Sequence, residues 1–294
     1  MKNKTKIVIL TLSIVFLVIC EIYLFIEMQN KSKQMIEIDL KRFEPFSQGN
    51  VLKNYETSFK IEENLPKIEA ASAFYPFAAN LVQNIYSKDS YSKDDLKLVS
   101  TSQAYTDIIN GKADIIIATC PSDEQKLEIF NSNLNLEFKK LYLEPLAIIV
   151  NSENNTKKLM IEDIQNIYHN NNLNWNTYQL EKNNGSQTCF ENIVKNNTIG
   201  DNHSELKLMP EIIDKIALDK KGVGYTFYSY YSKMHTNKNV KIIDINDKKI
   251  EDIDYPMLYE VYLIYKTDSS NENISKIVNW LDTEEGQKII DSIK

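Results

Sequence analysis

The run Lys182–Asn192, KNNGSQTCFEN, sets Ser186 and Thr188 after a flexible Asn183-Asn184-Gly185 and before an apolar stripe of Phe190, Ile193 and Val194. A hydroxyl residue at the cap, Gly before it and a periodic segment after it predict a helix start. The first amides of such a helix lack internal acceptors and carry the positive end of its dipole. Hydroxyls placed among them form a seat for an anion. The arrangement recurs twice. Ser72 opens a segment with Pro76 in its first turn, and Thr101-Ser102 opens one carrying Tyr105, Ile108 and Ile109. Each of these could simply cap its own helix; three in one chain favour a shared anion.

Other chemistries find little support. The three cysteines, Cys20, Cys120 and Cys189, are too few and too scattered for a disulfide framework or a zinc site. His169, His203 and His235 show no ligand spacing and are expected on the surface or in loops. No phosphate-loop, nucleophile-elbow or zincin motif occurs, so neither a metal, a cofactor nor an enzymatic activity is expected. The formal charge of -7 argues against a nucleic-acid partner. Arg42 is the sole arginine, so no guanidinium fork is available in the remainder of the chain.

The elements that must position these residues begin at the N-terminus. Lys2, Lys4 and Lys6 precede an apolar run, Ile7–Ile26, long enough to span a bilayer. The basic flank predicts a cytoplasmic start, so residues 1–27 read as a single-pass anchor with the rest of the chain extracytoplasmic. Leu17-Val18-Ile19-Cys20 resembles a lipobox, but Ile19 is large where a small residue belongs, so an anchor is favoured over a lipidated Cys20. Residues 28–65 read as a polar stem. From Pro66 short strands alternate with helices, and Ala113–Ala118 (ADIIIA) is a continuous apolar run typical of a strand buried on both faces. Such alternation predicts an α/β domain with a mainly parallel sheet, which binds ligands at the carboxyl ends of its strands. Leu141–Val150 is a strand candidate interrupted by Pro145, and Ile274–Ile293 a terminal helix interrupted only at Gly286.

Taken in order, these stretches resemble the PstS-like phosphate-binding proteins of ABC transporters. The resemblance rests on Ala71-Ser72-Ala73-Phe74-Tyr75-Pro76, Thr101-Ser102, Gly111-Lys112-Ala113-Asp114-Ile115 and Leu146–Asn151. It continues through Ile161–Trp175, Ser186-Gln187-Thr188 (like an S-G-T loop), Gly222–Tyr225, Tyr255-Pro256, Tyr259–Tyr265 and Glu285-Gly286-Gln287. It implies a two-lobe, type 2 periplasmic-binding-protein-like domain over 66–294 with a ligand cleft between its lobes. Lobe one would be about 66–147 and 260–294, and lobe two about 148–259. It also implies a small inorganic anion as ligand, an ABC transporter permease as partner, and a site formed by Ser72, the Ala73 amide, Thr101, Ser102, Thr119, Lys182, Ser186, Gln187 and Thr188.

The departures from the family matter as much. Thr119 stands where the family has an aspartate that accepts the proton of hydrogen phosphate. A hydroxyl can donate or accept, so that test for a protonated ligand is lost. Lys182 replaces an arginine with a point charge. Gln187 replaces the loop glycine, and Tyr259 an arginine. An alternative is therefore a degenerate sensor or interaction domain that keeps the fold without binding phosphate. Cys120 and Cys189 each follow or adjoin an implied ligand residue, one per lobe, and a disulfide across the cleft is a conceivable link.

Overall fold

The computed structural model describes residues 16–23, 40–169, 174–195 and 203–292. It divides into two units, Met1–Val51 and Leu52–Lys294. In the first, residues 16–23 and 40–42 are helical, and the Val51 amide bonds the Arg42 carbonyl at 2.9 Å. Of the expected anchor Ile7–Ile26, all but residues 16–23 lie outside the described residues. Among the described residues no helix is long and apolar enough to cross a membrane.

The second unit is organised by strands whose side chains are buried on both faces. β1 (Ile68–Ala71) lies between β2 (Leu96–Val99) and β3 (Ile115–Thr119), parallel to both. The register Ala71↔Val99 and Ala70↔Ile117 brings the carboxyl ends of all three strands to one edge. β11 (Leu258–Lys266) runs antiparallel beside β3, with Val261 opposite Thr119, and continues the sheet to β4.

β4 (Leu136–Asn151) is the crossing strand. Up to Pro145 it pairs with β11; from Leu146 it pairs with β8 (Gly222–Phe227), and its end also pairs with β9 (Val240–Ile242). The strand expected from Leu141 with a break at Pro145 is thus longer and unbroken. Proline, which has no N–H to give, sits where the strand exchanges one partner for the other. Beyond β8 the sheet adds β6 (Asn176–Leu180) and β7 (His203–Leu206), both parallel, giving the order β2-β1-β3-β11-β4-β8-β6-β7. β5 (Lys158–Leu159) and β10 (Asp244–Ile245) form a separate small ribbon.

The helices that carry the expected site follow these strands. α1 (Tyr75–Ile85) follows a 3-10 turn, Ser72–Phe74, and has Pro76 in its first turn as predicted. α2 (Thr101–Ile109) follows β2, and α3 (Asp123–Asn131) follows β3. Next come α4 (Ile161–His169), α5 (Gly185–Val194), α6 (Met209–Leu218) and α7 (Tyr228–Lys233). The expected terminal helix is two: α8 (Glu272–Trp280) and α9 (Glu284–Asp291). Thr283 caps α9 by accepting the Gly286 N–H at 3.2 Å, and a Cβ on Gly286 would collide with the Trp280 carbonyl.

Two further expectations are corrected. The stretch from Lys53 to residue 65 is not a free stem. Asn80 and Asn84 of α1 accept the Lys53 and Tyr55 amides at 2.9 and 2.7 Å, Phe59 stacks on Trp280 at 5.4 Å, and Thr57 donates to Glu285 at 2.7 Å. Buried asparagines satisfy this irregular backbone, a tertiary effect that a polar, aperiodic sequence does not announce. His235 lies in a loop, one of the two settings expected for it, but is buried there rather than on the surface, with its ring nitrogen 3.0 Å from Asp214.

Candidate functional site

The helix starts predicted from hydroxyl residues exist, but their caps lie one or two residues earlier. Ser100 caps α2 by accepting the Gln103 N–H at 3.1 Å, leaving Thr101 and Ser102 in the first turn. Asn184 caps α5: its side-chain oxygen accepts both the Ser186 N–H at 3.1 Å and the Ser186 hydroxyl at 3.0 Å. Ser186 and Thr188 therefore sit inside the first turn of α5.

Gly185, the first residue of α5, locates the meeting point. A Cβ built on it would lie 2.7 Å from the Thr101 hydroxyl oxygen and 2.7 Å from that of Thr119. Only glycine lets this helix start approach so closely. Thr101, Thr119 and Ser186 are all buried, and the Thr119 oxygen makes no hydrogen bond that meets ordinary geometry. A bond from the Thr119 hydroxyl would favour the ionised form of the Cys189 thiol. Tyr105 fixes the strand end by donating to the Thr119 carbonyl at 2.7 Å. The β1–β3 register sets Ser72 and Ala73 at the same sheet edge, immediately beyond Ala71. The residue that faces Thr101 and Thr119 is thus Gly185, flanked by Asn184 and Ser186 and immediately before the Ser186-Gln187-Thr188 read from sequence.

The remaining expected residues are placed elsewhere. Ser102 is exposed. The Gln187 side chain turns inward, its oxygen accepting from the Leu180 N–H at 3.2 Å and from the Tyr225 hydroxyl, while its nitrogen donates to Glu191 at 3.0 Å. It does not obstruct the meeting point. Lys182 is exposed and, with Gln187 and Thr188, lines a separate cleft of about 540 Å³. Among the described residues no cluster of three His, Cys, Asp or Glu side chains could hold a metal.

Several bonds join the two halves of the sheet around this point. Asn183, in the left-handed conformation at φ 66°, accepts from the Ser122 hydroxyl at 2.6 Å and donates to Glu124 at 2.8 Å, and its carbonyl accepts from Gln125 at 3.2 Å. Tyr259, on β11, donates to the Cys189 carbonyl of α5 at 2.7 Å. Burial pushes its phenol pKa upward, so it remains a donor at neutral pH. On the crossing strand, Glu144 accepts from the Ser229 N–H at 2.7 Å and from its hydroxyl at 2.5 Å. Burial raises the Glu144 carboxyl to about 7 despite those two donors. Sequence reading missed this set. The capping box of Ser122 and Gln125 was available as a signal, whereas Glu144 and Asn183 carried none.

Cys120 and Cys189 are both free, so the cross-cleft disulfide is absent. Burial raises both thiol pKa values, Cys189 well above the usual range.

Residues 62–282 match the family model described as a PBP superfamily domain. The chain belongs to the PBP superfamily. Its mixed α/β architecture is accordingly type 2 periplasmic-binding-protein-like, and the PstS-like resemblance holds at the level of fold. A PBP-fold protein from Clostridium perfringens, described as a phosphate ABC transporter substrate-binding protein with bound phosphate, is similar at 15% identity and a TM-score of 0.62; the match covers 80% of this chain and 97% of that one. An ABC-type phosphate transport receptor from Vibrio cholerae matches at 15% identity and 0.56, over 80% and 98%. The regulatory domain of CcmR from Synechocystis PCC6803, in complex with 2-PG, matches at 14% and 0.53, over 81% and 98%. At such identities the likeness is one of fold. No curated protein sequence matches the chain.

Proposed function

We propose that this chain is a membrane-tethered extracytoplasmic solute-binding protein for an inorganic oxyanion, phosphate first, which it delivers to an ABC transporter permease. The observation that carries the reading is the meeting of Gly185 with the Thr101 and Thr119 hydroxyls. It sets the starts of two helices, α2 and α5, against one strand end, and the edge that holds Ser72 and Ala73 completes the seat. Helix N-termini and hydroxyls there supply an anion with neutral donors, so net charge is no obstacle. The Clostridium and Vibrio relatives support phosphate as the first ligand to try. Binding and release need the lobes, about 66–147 with 260–294 and about 148–259, to part and close around β4 and β11. No catalytic step is required. The tether would be the run Ile7–Ile26, with a lipidated Cys20 the less favoured alternative; the mass of the mature protein extracted from membranes separates the two.

Calorimetry of the full chain against phosphate, sulfate and arsenate tests the ligand. Saturable heat with phosphate supports the reading. No heat and no thermal shift at millimolar anion defeats it.

A second reading, a sensor or interaction domain that no longer captures phosphate, has its own observation. The groups of the seat already touch one another, and the Tyr259–Cys189 and Asn183–Ser122 bonds hold them together. An anion would have to part them. The fold shared with the CcmR regulatory domain is consistent with such a role. Under this reading the same titration is silent.

A further inference from the structure

The cleft of about 540 Å³ lies between the first turn of α3 and the flank of α5, with β6 and β7 contributing to its wall. It is distinct from the anion seat, since Ser72, Thr101, Thr119 and Gly185 do not line it. Its charges are of the wrong sign for an oxyanion. The carboxylates of Asp123, Glu124, Glu191 and Glu205 face it, against the ammonium groups of Lys126 and Lys182. Asp123 and Lys126 neutralise each other in an ion pair at 2.9 Å. Glu124 and Glu191 are bonded to the neutral amides of Asn183 and Gln187, which bring no positive charge. Three carboxylates therefore remain against Lys182, an excess of two negative charges.

The wall also holds two buried polar atoms without a partner, the Gln179 side-chain oxygen and the Thr188 hydroxyl oxygen. Leaving such atoms unpaired destabilises the fold. Both sit beside the excess charge. Gln179 is opposite Glu205 in the parallel register of β6 and β7, and Thr188 precedes Glu191 by three residues on one face of α5. The two lysine ammonium groups of this wall are outnumbered by its carboxylates, and neither oxygen has a donor.

We propose that this cleft is a second binding site, for a small aliphatic amine bearing two or more primary ammonium groups. Two ammonium charges balance the excess, and their N–H donors suit the carboxylates, with the unpartnered Gln179 and Thr188 oxygens in the wall behind them. The volume lies within the range of small-molecule sites. The inference does not need phosphate binding: Lys182, Gln187 and Thr188 line this cleft, but Ser72, Thr101, Thr119 and Gly185 do not, and the charge called for is the opposite one.

The test is calorimetric titration of the full chain with putrescine and spermidine, with tetramethylammonium as a cation that has no N–H donor. The expected result is saturable binding of both amines and none of tetramethylammonium. Glu205→Gln and Glu191→Gln should each weaken the amines by about tenfold, and Thr188→Val should weaken them further in combination. Glu205 is exposed, so its variant should keep the wild-type melting temperature, and the two Gln variants should leave any phosphate heat unchanged. Three results overturn the proposal: no amine binding at millimolar concentration, equal binding of tetramethylammonium, or wild-type affinity in both Gln variants. The last would reduce the effect to diffuse attraction by a chain of formal charge -7.

Discussion

Gly185 faces Thr119 so closely that a single methyl group on the glycine would come within 2.7 Å of the threonine hydroxyl, and equally near that of Thr101. The start of α5 is thereby docked onto the ends of β3 and the start of α2 without any side chain of its own. Gly185→Ala puts a carbon where both hydroxyls stand, and β-branched threonines have few rotamers to yield. Overpacking of this kind costs about 1–3 kcal/mol. The variant should melt several degrees lower. If the seat binds phosphate, its affinity should fall more than about tenfold, since the donors of α5 no longer reach the hydroxyls. Wild-type melting and wild-type affinity together would show that the two helix starts do not need this contact.

Glu144 gives the crossing strand a pH dependence. Its carboxyl is raised from an ordinary 4.5 to about 7 by burial, so the folded state prefers the protonated form. The sign follows: this stability is complete below about 4.5 and is lost as pH climbs through 7. At 1.36 kcal/mol per pH unit the loss is of order 3 kcal/mol. Glu69, buried beside Asp107, is raised to about 7 by desolvation and by that neighbour, and adds to the same window. Urea unfolding at pH 5 and pH 8 should find the chain more stable at pH 5. Glu144→Gln should shrink the difference, and Glu69→Gln should shrink it again. An unchanged difference in Glu144→Gln would mean that this carboxylate is already ionised at pH 5.

The strand–helix alternation, the buried β3 run and the edge where a ligand would sit were legible from residue pattern, because continuous apolar runs and hydroxyl-started helices are local signals. Ser72, Thr101, Thr119 and Ser186 were singled out correctly as lying at element ends. The register of the loop was not legible. Asn184 and Gly185 cap and start α5, but Ser186 and Thr188 are equally good cap formers, and only the approach of Thr101 and Thr119 decides between them. Sequence shows Gln187 in place of the family's glycine without showing the direction of its side chain; Tyr225 draws it inward. α3 and α7 escaped notice since their faces are weakly apolar or short, and the Lys53–Asn84 bonding that binds the supposed stem joins residues 31 positions apart.

Tyr259 spans the halves by a single bond to the Cys189 carbonyl at 2.7 Å. Tyr259→Phe keeps the ring and removes the donor, leaving a buried carbonyl of α5 without this partner. The expected loss is about 1–3 kcal/mol. Because the bond ties β11 to α5, the effect should be local as well as global. Amide exchange in Gly185–Val194 should quicken more than in α1 or α8. Uniform acceleration across all helices would assign Tyr259 to general packing rather than to holding the halves together.

Thr119 can either donate or accept, so a seat built on it does not distinguish protonated from deprotonated phosphate. Thr119→Asp supplies a carboxylate that accepts the proton of hydrogen phosphate and repels an oxyanion that has none. Phosphate binding should strengthen and become biased toward the protonated species, while sulfate, which carries no proton near neutral pH, should lose whatever affinity it has. Titrating both anions at pH 6 and pH 8 checks the prediction. The carboxylate also enters a crowded point beside Gly185, so the melting temperature must be read alongside. A folded variant whose phosphate affinity matches the wild type at both pH values would remove Thr119 from the seat.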